Sequence, residues 1–154
     1  MCIRDRSVVP GAQVDTEFDP DAFTAWLSSV EVTLKASGHY DVAMTQLGDV
    51  LVNAPEGPDG LWIHPTIAEA MNDRERASLR AGHGTGIRNS RGFHIVDPEA
   101  KPERALAVKY RKQADEVENA GYQRLATTLR DVATSYDRDA ERIISNGESS
   151  SQAN

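Results

Sequence analysis

Residues 122–144, YQRLATTLRDVATSYDRDAERII, carry the most regular pattern in the chain and decide its fold class. Apolar side chains recur there at alternating spacings of four and three residues, and Leu125, Val132 and Ile144 widen the stripe. The stripe consists of Tyr122, Ala126, Leu129, Ala133, Tyr136, Ala140 and Ile143. A stripe of this width is typical of a helix that packs one face against a core. The pattern therefore predicts an all-α fold.

The preceding stretch predicts a partner for this helix. Its apolar residues recur at spacings of four, four and three: Leu106, Tyr110, Ala114 and Val117. The sequence Asn119-Ala120-Gly121 is typical of a turn. Residues 102–145 are thus predicted to form a C-terminal αα-hairpin, which ends at Asn146-Gly147 and is followed by a disordered tail at residues 147–154.

Helix start and stop signals also divide the first half of the chain. Asp19-Pro20 predicts a helix that continues to Ser37 and ends at Gly38. A second helix is expected directly after it, and a third from Pro65 onward, with Asp73 capping a further stretch that Gly82 ends. We therefore predict a single domain of about five helices over residues 19–146.

Residues 1–18 lack helical periodicity and are expected to be disordered or artefactual. The first seven residues, MCIRDRS, resemble a translated sequencing-adapter remnant, of a kind found at the start of metagenomic reading frames. Cys2 is the only cysteine in the chain, so a disulfide framework and a thiolate metal cluster are both excluded. The expected compartment is the cytoplasm.

Charge is unevenly distributed along the chain, whose net charge is −7. Residues 13–60 hold nine acids and one base, whereas residues 74–94 hold five arginines and one acid. Overall acidity argues against indiscriminate nucleic-acid binding, because like charge repels phosphate. No apolar run reaches the length of a membrane helix. The basic middle either pairs with the acidic first third or forms a local anion site.

Residues 82–98, GHGTGIRNSRGFHIVDP, are the stretch in which a chemical site is expected. The glycines predict a long irregular central loop, whose freed amides could bind an anion together with neighbouring arginines. The dinucleotide fingerprint fails because Ile87 occupies the place of its third glycine, and no P-loop lysine follows. The candidate ligand-binding residues are Arg80, His83, Arg88, Asn89, Arg91 and His94.

Two other kinds of chemistry can be considered for residues of this stretch, together with His64. Three histidines and an acid have the donor types of a zinc or iron site, but no pair has a strong ligand spacing: His64, His83, His94 and Asp97. Ser90, His94 and Asp97 are the residue types of a catalytic triad, without a nucleophile-elbow pattern around the serine. We therefore assign no catalytic residue, metal or cofactor, and leave open whether the protein is an enzyme.

Two functions follow from these patterns. The first is a small helical interaction or regulatory protein that acts through protein–protein contacts, with a protein partner or as a homodimer. The alternative is a binding or catalytic domain for a phosphorylated or anionic small molecule at residues 82–97. Contact of the arginines with nucleic acid is a third and weaker hypothesis.

Overall fold

The computed structural model describes Val9, Gly11 and residues 17–151. This part of the chain contains six α-helices and one short 3₁₀ turn, and it contains no strand. The all-α prediction is therefore confirmed. The helices are α1 Pro20–Ser37, α2 Tyr40–Val50, α3 Pro65–Asn72, α4 Ala77–Asn89, α5 Lys101–Asn119 and α6 Gln123–Ser151, and the 3₁₀ turn is Leu51–Asn53.

Local signals set the ends of α1, as predicted. The Asp19 carboxylate accepts hydrogen bonds from the backbone N–H groups of Asp21 and Ala22, both at 3.0 Å. Pro20 occupies the first turn, where its missing N–H costs nothing. Gly38 has a φ of 74°, and this left-handed conformation ends the helix.

Side-chain caps likewise set both ends of α3. His64 is extended and its Nδ1 accepts the N–H of Thr66 at 3.2 Å, so this histidine caps α3. Asp73 ends α3, and its carboxylate accepts the N–H of Glu75 at 2.8 Å in the turn before α4. The predicted division of this region into two helices at Asp73 is confirmed.

The predicted loop at residues 82–89 is wrong, because these residues form the second half of α4. A Cβ on Gly48 of α2 would lie 2.6 Å from the backbone nitrogen of His83, and one on Gly82 would lie 2.8 Å from Cα of Thr45. The backbones of α2 and α4 therefore approach through glycines. The low helix propensity of glycine, which predicted the loop, is a property of the local sequence. Packing of the two helices against each other offsets it. Of the predicted loop at residues 82–98, only residues 90–98 lie outside a helix.

The basic middle of the chain does pair with the acidic first third at one point. Arg76 of the α3–α4 turn makes a bidentate ion pair with Glu31 of α1, at 2.8 and 3.0 Å. The Arg76 hydrogen bonds lower the pKa of Glu31 despite its partial burial. Tyr40 also donates to Glu31, at 3.0 Å. Of the two alternatives for the basic middle, pairing with the acidic first third therefore holds for Arg76.

Alanines and tyrosines form the contact between α5 and α6. The rings of Tyr110 and Tyr136 stack with centroids 5.9 Å apart, and Arg130 of α6 bonds Asp115 and Glu118 of α5. The predicted helix end at Asn146-Gly147 is wrong, since α6 continues to Ser151. A single glycine costs a helix only about 1 kcal/mol, so Gly147 need not end it. The buried small residues are Ala107, Ala114, Ala126, Ala133 and Ala140.

Contacts divide the chain into two compact units, residues 1–87 and 88–154. Most of the segment predicted to be disordered or artefactual, residues 1–18, lies outside the described residues, as do residues 152–154 of the predicted tail. Val9 is described and is buried, with 2% of its surface exposed. Among the described helices, none combines the length and apolar character needed to cross a bilayer. The single domain over residues 19–146 stays a prediction.

Replacing Gly82 with Ala tests the close approach of α2 and α4. We expect Gly82→Ala to lower the free energy of unfolding by about 3 kcal/mol, because the new methyl group meets backbone that cannot move aside. Urea unfolding followed by circular dichroism measures the change. Gly147→Ala is the matched control: its Cβ would have no described atom within 4 Å. It should stabilise the protein by about 0.5–1 kcal/mol. Equal effects of the two variants would contradict the packing argument.

Candidate functional site

The six residues predicted to bind a ligand do not form one cluster. Arg80 donates to the backbone carbonyls of Met71 and Asp73, the first at 2.9 Å, and so satisfies the C-terminal end of α3. Arg88 and Asn89 end α4 with exposed side chains. Only Arg91 and His94 are brought together, through a third residue. Ligand binding by the six stays a prediction.

His83 lies in the core of the first unit, with 1% of its surface exposed. Its ring stacks on Trp62, with centroids 6.5 Å apart. Within the described part of the chain, neither ring nitrogen has a partner at ordinary hydrogen-bond geometry. Burial lowers the pKa of His83 to about 4, and the backbone of Gly48 opposes the shift in part. The imidazole is therefore neutral near pH 7.

Glu103 joins Arg91 and His94, although it was not among the residues predicted to bind a ligand. It lies in the first turn of α5 with 1% of its surface exposed, and its Oε1 is 2.6 Å from Nη1 of Arg91. A signal was present in the sequence. Glu103 continues the buried register of α5 at spacings of four and three, which places a carboxylate on the apolar face. The other residues of that register are Ala107, Tyr110, Ala114 and Val117.

His94 reaches the same carboxylate from the loop. Its Nε2 lies 3.7 Å from Oε1 of Glu103, and its Nδ1 lies 3.3 Å from the carbonyl oxygen of Gly92. The other carboxylate oxygen, Oε2 of Glu103, is buried and accepts no hydrogen bond from the described residues. A cleft of about 270 Å³, here named the Glu103 cleft, is lined by Arg91, His94, Glu103, Asp139, Arg142, Ile143 and Asn146.

The residue types of a metal site and of a catalytic triad also occur in this region. The described residues contain no group of three His, Cys, Asp or Glu side chains that could hold a metal ion. His94 lies near the Gly92 carbonyl oxygen and the Glu103 carboxylate, whereas the Asp97 carboxylate accepts the N–H of Glu99 at 3.0 Å. Asp97 therefore caps a turn, and α5 begins later, at Lys101.

The loop that carries Arg91 and His94 also presents apolar side chains to solvent. Phe93 and Ile95 are fully exposed and Val96 is more than half exposed. We name residues 93–96 the apolar loop segment. Large apolar side chains that occur singly on a surface are normal, whereas three exposed within four consecutive residues are a local concentration of apolar surface, which is typical of an interaction site.

Comparison of the chain with protein-family models, curated proteins and solved structures returns no match. Two features of the described residues bear on function: the Glu103 cleft and the apolar loop segment.

The pKa of His83 predicts that acid destabilises the first unit. Its folded pKa lies below the ordinary value of 6.5, so the unfolded chain takes up the proton first as pH falls. The resulting stability is complete above about pH 6.5 and is lost down to about pH 4, a loss of about 3 kcal/mol. In urea unfolding at several pH values, His83→Leu should lose less stability than wild type over this window. Parallel curves for the two proteins would contradict the assignment.

The buried ion pair predicts a non-additive pair of substitutions. Arg91→Met leaves the Glu103 charge buried without its cation, and we expect a loss of about 3–5 kcal/mol in the free energy of unfolding. Adding Glu103→Leu removes that charge and should restore most of the loss. Urea unfolding of wild type, both single variants and the double variant measures the coupling. Additive effects would show that the two side chains do not form a pair in solution.

Proposed function

We propose that the protein is an interaction protein whose contact site is the apolar loop segment, residues 93–96. The observation that carries the proposal is the full exposure of Phe93 and Ile95. Aromatic side chains that become buried supply much of the binding energy of protein interfaces. Apolar side chains that stay in water do not stabilise the folded chain. A partner that covers them removes their apolar surface from water, and this contributes favourably to the free energy of binding.

The anchoring of the loop supports this proposal. Arg91 and His94 hold the segment near Glu103 at the start of α5, and Gly92 adopts a φ of 61° between them. In this proposal α5 and α6 form the predicted αα-hairpin, which serves as the rigid support of the loop. A segment held in place loses less conformational entropy on binding than a free one. The partner is a second copy of the chain or another protein.

The alternative function, binding of a simple anion by the loop arginines, has less support. Arg91 faces the Glu103 carboxylate at 2.6 Å, and Arg80 is bonded to two carbonyl groups. An anion at either side chain must compete with these acceptors. A positive field from Arg88 and Arg91 is nevertheless felt nearby: burial raises the pKa of Tyr136, and the charges of the two arginines oppose that rise.

Photo-crosslinking from the loop tests the proposal. We place p-benzoylphenylalanine at position 93, where the exposed side chain tolerates replacement, and irradiate the purified protein and then host lysate. Covalent adducts are expected in at least one of the two samples: dimer in the first, or a discrete heavier species in the second. Adding Ile95→Ser to the labelled protein should reduce their yield, because it removes the second apolar anchor.

The same photoreactive group at Val42 is the matched control, since Val42 is also an exposed apolar side chain but lies on α2. Sedimentation measured over a range of protein concentrations reports self-association independently. A protein that stays monomeric, with no adduct from position 93 above the yield from position 42, would rule out the proposed contact site.

A further inference from the structure

The arrangement of charges around the Glu103 cleft is not explained by protein contacts through the loop. Its lining carries two guanidinium groups and two carboxylates, and the charges are separated into two pairs, Arg91 with Glu103 and Arg142 with Asp139. The two positive and two negative charges of these pairs cancel. We infer that the cleft binds a small zwitterion, a molecule with a primary ammonium group and a carboxylate.

The ammonium end of the ligand is assigned to Glu103. Burial of a carboxylate oxygen without a donor is unfavourable, and polar atoms in this position are normally satisfied. Arg91 and His94 both approach Oε1, whereas Oε2 receives no donor from the described residues. An ammonium group has three N–H donors in a compact shape, and the attraction of opposite charges strengthens each of its bonds to a carboxylate.

The carboxylate end of the ligand is assigned to Arg142. The Arg142 side chain is 67% exposed and forms an ion pair with Asp139, three residues earlier on the same helix. An exposed pair of this kind holds its members weakly, so the guanidinium group is easily redirected to a ligand. Guanidinium is also the side-chain group that best matches a carboxylate, through two parallel hydrogen bonds.

Charge balance distinguishes this ligand from its two halves. A bare anion at Arg142 leaves Oε2 of Glu103 without a donor and adds a negative charge to two pairs whose charges already cancel. A bare amine at Glu103 adds a positive charge beside Arg91. A zwitterion satisfies both ends and keeps the sum of charges at zero, which is electrostatic complementarity acting as specificity. Ile143 supplies an apolar wall for the carbon chain between the two ends.

Two-dimensional ¹H–¹⁵N NMR titration of the full chain tests the assignment. The probes are glycine, β-alanine and 4-aminobutanoate, which increase the distance between the charges, with acetate as the bare anion and ethylamine as the bare cation. We expect saturable shifts at the amides of Glu103 and Arg142 for at least one of the three zwitterions, and weaker or no saturation for acetate and ethylamine.

Variants of the cleft separate the two ends. Arg142→Ala should weaken binding of the zwitterion by about tenfold, because it removes a charge-assisted pair. Arg138→Ala is the matched control, since Arg138 is an exposed arginine one turn earlier on α6 and lies outside the cleft lining. Glu103→Gln, which keeps the shape of the side chain, should abolish the response; if it does not fold, the Arg142 and Arg138 pair of variants decides the test.

Three results would overturn the inference: no saturable shift with any zwitterion, equal affinity for acetate or ethylamine alone, or equal effects of Arg142→Ala and Arg138→Ala. The test is independent of protein contacts through the loop. Loss of crosslinking from position 93 and loss of zwitterion binding are therefore separate outcomes.

Discussion

One buried carboxylate constrains the second unit of this protein. Glu103 lies on the face of α5 that is otherwise apolar, so its charge must be met by groups brought to it. Arg91 and His94 come from the loop before α5, and this requirement draws residues 91–94 toward the start of the helix. The loop that exposes Phe93 and Ile95 is therefore held by the same group that forms the floor of the cleft.

A steric constraint has the corresponding role in the first unit. Gly48 and Gly82 have no side chain, so the backbones of α2 and α4 approach to a distance that excludes even a methyl group. The neighbouring His83 is consequently enclosed and neutral, stacked on Trp62. A glycine-rich sequence thus serves helix packing here, and the histidine within it belongs to the core. The two units accordingly use their polar residues differently: the first buries a neutral ring, the second a charge.

Local signals in the sequence predicted much of the fold. Asp19 and Gly38 bound α1, and His64-Pro65 begins α3, because caps depend on a few adjacent residues and need no tertiary partner. The candidate site was predicted less well. The residue types of Arg91 and His94 indicated a site, but nothing indicated their shared partner Glu103 as a site residue. An acid in the first turn of a helix is ordinarily exposed to solvent and interacts favourably with the positive end of the helix dipole. Only its register with Ala107 and Tyr110 indicated burial.

By itself, the sequence determined the all-α class, the helix start at Pro20 and the apolar stripe of α6, because periodicity and capping act over a few residues. The tertiary structure decided whether residues 82–89 were loop or helix, since the low propensity of glycine is overcome only when another backbone packs against it. It also decided which polar groups meet. Glu103, His94 and Arg142 are separated along the chain, and their convergence on one cleft depends on how the loop and α6 meet the start of α5.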